Sequence, residues 1–268
     1  MQIVFLIILF ILGACLGSFL CCQARRLHLK AIKSKTKLGP RSICLNCHHQ
    51  LRWYDNLPIL SWLLLRGKCR SCHHPIGYAE ILSELALGLS FLGLGTTFDF
   101  TTTSFLPWAS FVVLLVFTAI IGFLAIYDGL YGELPTLYLT LALIVASLHL
   151  ILAEATFLLV QPFSITCIIY PLISVLALGG LYLVLYLISK GKWVGDGDWL
   201  LGTAIALVLF HPWLALICLF LANIIACAIM APFMKGKKDH QIYFGPFLVI
   251  AFVITYSVSN YLLPLISG

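Results

Sequence analysis

Residues 106–129 read LPWASFVVLLVFTAIIGFLAIYDG, an uncharged apolar run closed by a single carboxylate at Asp128. A helix that crosses a bilayer needs about 20 mostly apolar residues, and 106–127 supplies them. Runs of the same kind recur at 3–22, 79–97, 134–153, 165–189, 198–210, 212–233 and 246–266. The expected fold is therefore an all-α polytopic integral membrane protein of about eight transmembrane helices. The run at 198–210 is the shortest, and it meets its successor at His211-Pro212.

Composition points the same way. Of the 268 residues, 62% are hydrophobic and 10% charged, with a mean hydropathy of +1.06; a soluble domain carries roughly 25% charged residues. This excludes a soluble enzyme, a disordered chain and a nucleic-acid-binding domain with a basic face. The charges are also unevenly spread. Eleven of the 16 basic residues lie between Arg25 and Arg70, with Asp55 as the one acid among them. Basic residues on short loops stay in the cytoplasm, which sends the first helix from outside to inside. The loops at 98–105 and 154–164 then fall outside and hold no Lys or Arg. Those at 190–197 and 234–245 fall inside and hold Lys190, Lys192, Lys235, Lys237 and Lys238. All 16 basic residues end on one side, next to anionic lipid headgroups. The expected organisation is a first transmembrane helix over 1–22, a cytoplasmic loop over 23–78 and a transmembrane core over 79–268. A cleaved signal peptide is disfavoured, because no Lys or Arg precedes the first apolar run.

Six of the ten cysteines (Cys15, Cys21, Cys22, Cys167, Cys218, Cys227) sit in apolar runs and read as small packing residues. The other four form two alike units, Cys44-Leu45-Asn46-Cys47-His48-His49 and Cys69-Arg70-Ser71-Cys72-His73-His74. Two CxxC pairs at this separation present four thiolates to one tetrahedral ion, so a structural zinc on Cys44, Cys47, Cys69 and Cys72 is expected. Each unit is also a CxxCH, the attachment signature of c-type haem. A cytoplasmic loop argues against haem, which is attached outside the cytoplasm, and against disulfides.

Few acids remain to carry chemistry. Asp55 belongs to the loop, and Glu80 and Glu84 lie one turn apart near the start of the second span. Asp99, Glu133, Glu154 and Asp239 read as solvated. Asp128 closes the third span, and Asp198 opens the sixth after Gly195-Asp196-Gly197. On the topology above both face the cytoplasm, and Gly195 and Gly197 allow close packing or a sharp turn. Two carboxylates a few ångströms apart share a proton, so one can deprotonate water while the other protonates a carbonyl oxygen. Asp196, two residues from Asp198, would point away. From the pattern alone, paired catalytic aspartates compete with an ion or proton relay and with helix capping.

Several motifs in order resemble those of the type 4 prepilin peptidases (leader peptidase/N-methyltransferases), polytopic aspartyl proteases of the GxGD kind. They are Gly17-Ser18-Phe19, Arg41-Ser42 with Cys44 and Cys47, Asp55-Asn56-Leu57-Pro58 with Leu60-Ser61-Trp62, and Arg66-Gly67-Lys68-Cys69 with Cys72. Glu84-Leu85, Asp128 with Leu134-Pro135, Gly195-Asp196-Gly197-Asp198 and Phe244-Gly245-Pro246-Phe247 complete the series. The resemblance implies an inner-membrane hydrolase, serving a type IV pilus or a protein secretion system, with Asp128 and Asp198 as its catalytic pair. It implies removal of the short basic leader from type IV prepilins or pseudopilins at the cytoplasmic face. It also implies, in many members, methylation of the new N-terminus with S-adenosylmethionine. Thr136, Leu200 and Cys21 depart from the residues usual in the family. The alternatives are a membrane dihaem cytochrome built on the two CxxCH units and an ion-coupled transporter using Asp128 and Asp198 as a relay.

Overall fold

The computed structural model describes residues 2–33, 42–44, 46–159, 161–191, 194–230 and 243–267. Arg41, Leu45, Lys192, Lys235, Lys237, Lys238 and Asp239, all cited above, lie outside them. Among the described residues every regular element is helical. The chain divides into two compact units, Met1–Leu92 and Gly93–Gly268.

The N-terminal unit contains α1 (Gln2–Ala31), a short 3-10 turn (Trp53–Asn56), α2 (Leu60–Leu64) and most of α3 (Ala79–Thr96). Helix α1 outruns the apolar stretch 3–22 because nothing in Gln23–Ala31 breaks it. Its last turn carries His28 and Lys30, basic residues suited to a helix C-terminus. Gly13, Gly17, Cys21 and Ala24 form a buried small-residue seam on α1. A methyl group on Gly17 would lie 2.8 Å from the Glu84 Cα of α3, and one on Gly13 would strike the Leu87 carbonyl. Without water to drive apolar faces together, such Gly-x-x-x-Gly spacing lets two backbones approach within packing distance.

The C-terminal unit holds α4 (Phe105–Tyr131), α5 (Thr136–Leu158), α6 (Thr166–Val175) and α7 (Leu181–Ser189), then α8 (Asp198–Leu209), α9 (Pro212–Met230), α10 (Gly245–Ser257) and α11 (Ser259–Ser267). One π-turn, Leu176–Gly180, joins α6 to α7. Among the described residues six helices are long and apolar enough to cross a membrane, or seven if α10 and α11, bent by 67°, make one span. The protein is a multi-pass membrane protein.

The stretch 198–210, expected as a span, is a helix of 12 residues, about 18 Å long against a hydrocarbon core of about 30 Å. Its end is set locally: Phe210 turns left-handed at φ 37, and Pro212 starts α9. Leu201, Ala204, Ile205, Ala206 and Val208 are wholly buried, among α5, α6, α7, α10 and the π-turn. The π-turn carries Gly179, whose absent side chain leaves room for Thr203 of α8. The apolar character of α8 thus answers to protein and not to lipid. Helix α4 runs a turn past its expected end and closes at Gly132, whose left-handed N–H (φ 70) donates to the Asp128 carbonyl at 2.8 Å. Asp128 therefore lies within the helix, not on a loop.

Candidate active site and metal centre

In the C-terminal unit, two aspartates are buried at helix termini. Asp128 occupies the last turn of α4 and Asp198 the first position of α8, and each is only 5% exposed. Each carboxylate is held by one glycine backbone donor. The Gly245 N–H donates to Asp128 Oδ2 at 2.9 Å, and the Gly195 N–H donates to Asp198 Oδ2 at 2.9 Å. The two acids lie within electrostatic reach of one another. Asp196 is exposed, as its two-residue offset from Asp198 suggested.

The local sequence explains both placements. Gly195, Asp196 and Gly197 form a tight turn in which the Asp198 N–H reaches back to the Gly195 carbonyl at 3.3 Å. Gly197 passes so close to the connection ahead of α5 that a methyl group there would sit 2.6 Å from Leu134 Cβ. On the other side, Gly245 opens α10 against α4, with Pro246 following in the first turn. A methyl group on Gly245 would lie 2.8 Å from Asp128 Oδ2, so any side chain there must displace the carboxylate. Gly245 is 117 residues from Asp128, and nothing in the sequence joins them. The buried Tyr182 ring lies 5.3 Å from Phe244 and lines Gly202 of α8, with Asn223 donating to its hydroxyl at 3.4 Å. Sequence reading singled out neither Tyr182 nor Asn223, since a lone Tyr and a lone Asn in apolar runs carry no spacing signal.

In the N-terminal unit, the sulfur atoms of Cys44, Cys47, Cys69 and Cys72 all lie within 4.8 Å of one another. The two CxxC segments, 43–50 and 68–75, fold alike. His48 and His73 take left-handed φ values of 56° and 54°. The Cys44 N–H donates to the His49 carbonyl and the Cys69 N–H to that of His74, each at 2.9 Å. Isolated bridges, Ile43 with Gln50 and Lys68 with Pro75, close each turn. Cys44 and Cys72 Sγ are 3.8 Å apart, matching the edge of a tetrahedron with arms of about 2.3 Å, the usual zinc–sulfur distance. The Cys72 thiol is lowered to about 6 by the His74 backbone N–H and then by the Asn46 amide, which favours the thiolate a metal binds. Four thiols converging on one point can hold one metal ion. Two haems would need two separated attachment sites, so the dihaem reading finds no support.

Between the paired units, Asp55 accepts from Arg70 Nε at 2.8 Å and from the Arg52 N–H at 3.1 Å. The segment after it bends sharply. The Leu60 N–H reaches the Pro58 carbonyl at 2.6 Å across Ile59, whose φ is 62. This is a positive-φ γ-turn, a strained geometry, and a β-branched residue at its centre adds to the cost. The Ile59 N–H is thereby aimed at Glu84 Oε2, 2.6 Å away.

Residues 11–98 match the family described as Bacterial Peptidase A24 N-terminal domain. Three curated relatives are named prepilin leader peptidase/N-methyltransferase. That of Dickeya chrysanthemi is 28% identical across 92% of this chain and 90% of its own length. That of Aeromonas hydrophila is 31% identical over 79% of this chain and 69% of its own. That of Myxococcus xanthus is 43% identical over 97 residues, 36% of this chain and 28% of its own. No solved structure matches the chain.

Proposed function

The chain belongs to the prepilin leader peptidase/N-methyltransferase family, and on that premise we propose that Asp128 and Asp198 are the residues that cut a prepilin or pseudopilin leader. One carboxylate, ionised, takes a proton from water as the water attacks the scissile carbonyl. The other, protonated, hydrogen-bonds the carbonyl oxygen and gives it a proton as charge develops there. The backbone donors at Gly195 and Gly245 fix one oxygen of each acid, leaving the second oxygen of each to serve water and carbonyl. The observation that carries this reading is the pair of buried carboxylates, each pinned by a glycine N–H, with Asp128 lying in the field of Asp198. A relay for ions explains the buried charge but not the two glycines that lock the side chains in place.

The charge distribution supports an inner-membrane orientation with the N-terminus outside and the active site facing the cytoplasm, where an uncut basic leader waits. Membrane lipid and the apolar helix behind the leader complete the surroundings. Cys44, Cys47, Cys69 and Cys72 would hold a zinc ion that staples the loop and takes no part in hydrolysis. S-adenosylmethionine would supply the methyl group for the N-methyltransferase activity. Co-expression with a candidate prepilin, followed by intact-mass measurement, tests the whole reading. Loss of the leader mass reports the peptidase and one added methyl the transferase, while an uncut prepilin contradicts the assignment.

A further inference from the structure

Helix α2 falls in the stretch expected as a cytoplasmic loop, yet its start lies at a depth that belongs to the membrane. The depth can be counted along α1, whose apolar run 3–22 ends shortly before Arg25. Arg25 pairs with Glu80 Oε1 at 2.6 Å, which sets both at the edge of the spans. Glu84 is one turn further into α3, and its Cα packs on Gly17 of α1, five residues inside Cys22. At 1.5 Å per residue that is about 7 Å inside the apolar run. The Ile59 N–H donates to Glu84 Oε2 at 2.6 Å. Even with the Glu84 side chain leaning toward the N-terminus of its helix, α2 starts within the run and not beyond it. Its other end rises to the start of α3, where Trp62 Nε1–H donates to the Gly77 carbonyl at 2.9 Å.

The backbone there is closed as lipid requires, since polar groups at membrane depth must be satisfied by protein. The Ile59 N–H goes to Glu84, the Leu60 N–H to the Pro58 carbonyl and the Ser61 N–H to the Leu57 carbonyl. The strained turn at Ile59 serves this closure, because it sends one donor to a carboxylate and the next back to Pro58. The side chains point the same way. Leu60, Leu63 and Leu64, at i, i+3 and i+4, share one face and are 58%, 55% and 81% exposed. Beyond α2, the Gly67 carbonyl accepts from the Ile76 N–H at 2.8 Å, so the exposed Arg66 and Lys68 stand outside the start of α3. Tyr78, also exposed, lies 5.7 Å from the Trp62 ring, an aromatic pair of the kind that gathers at a bilayer edge.

We propose that α2 is inserted in the lipid leaflet, with its leucine face among acyl chains and Arg66 and Lys68 among anionic headgroups, so that it anchors the cysteine loop to the membrane surface. A helix with one apolar face and basic residues at its rim takes this interfacial position. Helix α3, on which α2 packs, is long and apolar enough to cross the membrane, and Leu82 and Leu89 are exposed along it, so the leucine face continues a lipid-facing surface. A prepilin helix would also cover the leucines, but its basic leader would meet Arg66 and Lys68. This placement depends on α1 and α3 crossing the membrane and not on the peptidase assignment.

The test puts benzoyl-phenylalanine in place of Leu60 or Leu64 in the full-length protein, reconstituted in vesicles of phosphatidylethanolamine and phosphatidylglycerol. Irradiation followed by peptide mass spectrometry reads what each position touches. Leu12 of α1, exposed within a span, is the positive control, and Gln50, exposed in the first cysteine segment, gives the background. Phospholipid adducts at both positions of α2 should approach the Leu12 yield and exceed that at Gln50 by about tenfold or more, as expected of a face buried in acyl chains. If the probe at Leu60 disturbs folding, Leu64, the more exposed of the two, carries the test. Adducts at the Gln50 level while Leu12 is labelled overturn the proposal. So do cross-links from Leu64 to a second copy of the chain, or to an added prepilin, that replace the lipid adducts.

Discussion

Replacing Gly245 by alanine adds a methyl carbon 2.8 Å from Asp128 Oδ2 and 3.3 Å from its Cγ. Gly245 does not sit in the left-handed region, so alanine meets no backbone penalty and the whole burden falls on the carboxylate. Relief to ordinary contact moves that carboxylate by about half an ångström. Misplacing a reacting group by about 1 Å costs about 100-fold in rate, so a loss of roughly tenfold follows from displacement alone. It grows toward 100-fold if the charge-assisted bond from the Gly245 N–H, worth about 1.5–3 kcal/mol, is broken as well. The loss should fall on kcat and leave KM nearly unchanged, because Gly245 meets the catalytic carboxylate and not the leader. Gly129→Ala is the matched control. It adds a methyl group across the same α4–α10 contact, but 3.5 Å from Pro246 Cγ, an ordinary distance, and alanine favours the helix. Steady-state cleavage of a prepilin peptide by both variants in detergent is the assay. Wild-type turnover by Gly245→Ala, or equal damage from both substitutions, would refute the claim that Gly245 positions Asp128.

Cys44→Ser and Cys69→Ser should lower bound zinc and melting temperature before they lower cleavage, read by metal analysis and thermal unfolding; an undiminished melting temperature in zinc-free protein counts against the staple. Gly197→Ala forces a carbon to 2.6 Å from Leu134 Cβ and 2.7 Å from its Cδ1, and such overpacking should cost about 1–3 kcal/mol. Thermal unfolding that matches the wild type would show that the contact between Gly197 and Leu134 is looser than described. Gly17→Leu should part α1 from α3, since even its first carbon meets the Glu84 Cα at 2.8 Å; membrane accumulation equal to the wild type would contradict the close packing of those helices.

Hydropathy made the long spans legible because lipid-facing helices must be apolar along their whole length. It misjudged α8 because a helix buried in protein is equally apolar, and only Phe210 and Pro212 reveal where it stops. The cysteine pairs were legible because metal geometry dictates their spacing. Asp128 and Asp198 stood out because carboxylates are scarce in this chain, so each one left in an apolar run is conspicuous. Gly245 as the donor to Asp128 and the pairing of Tyr182 with Asn223 were not legible. Each depends on contacts between distant segments, made by residue types that have many other uses. The strained turn at Ile59 was hidden too, since a Pro-Ile-Leu sequence ordinarily runs extended.

Asp128→Asn and Asp198→Asn test the central claim most directly. Each keeps the size of the side chain and an oxygen to accept its glycine N–H, so the folded protein should still accumulate in membranes and bind zinc. Prepilin cleavage, followed by intact mass, should fall by at least about 1,000-fold in each single variant, because neither acid can act without the other. Leader removal at the wild-type rate by either variant would contradict the account.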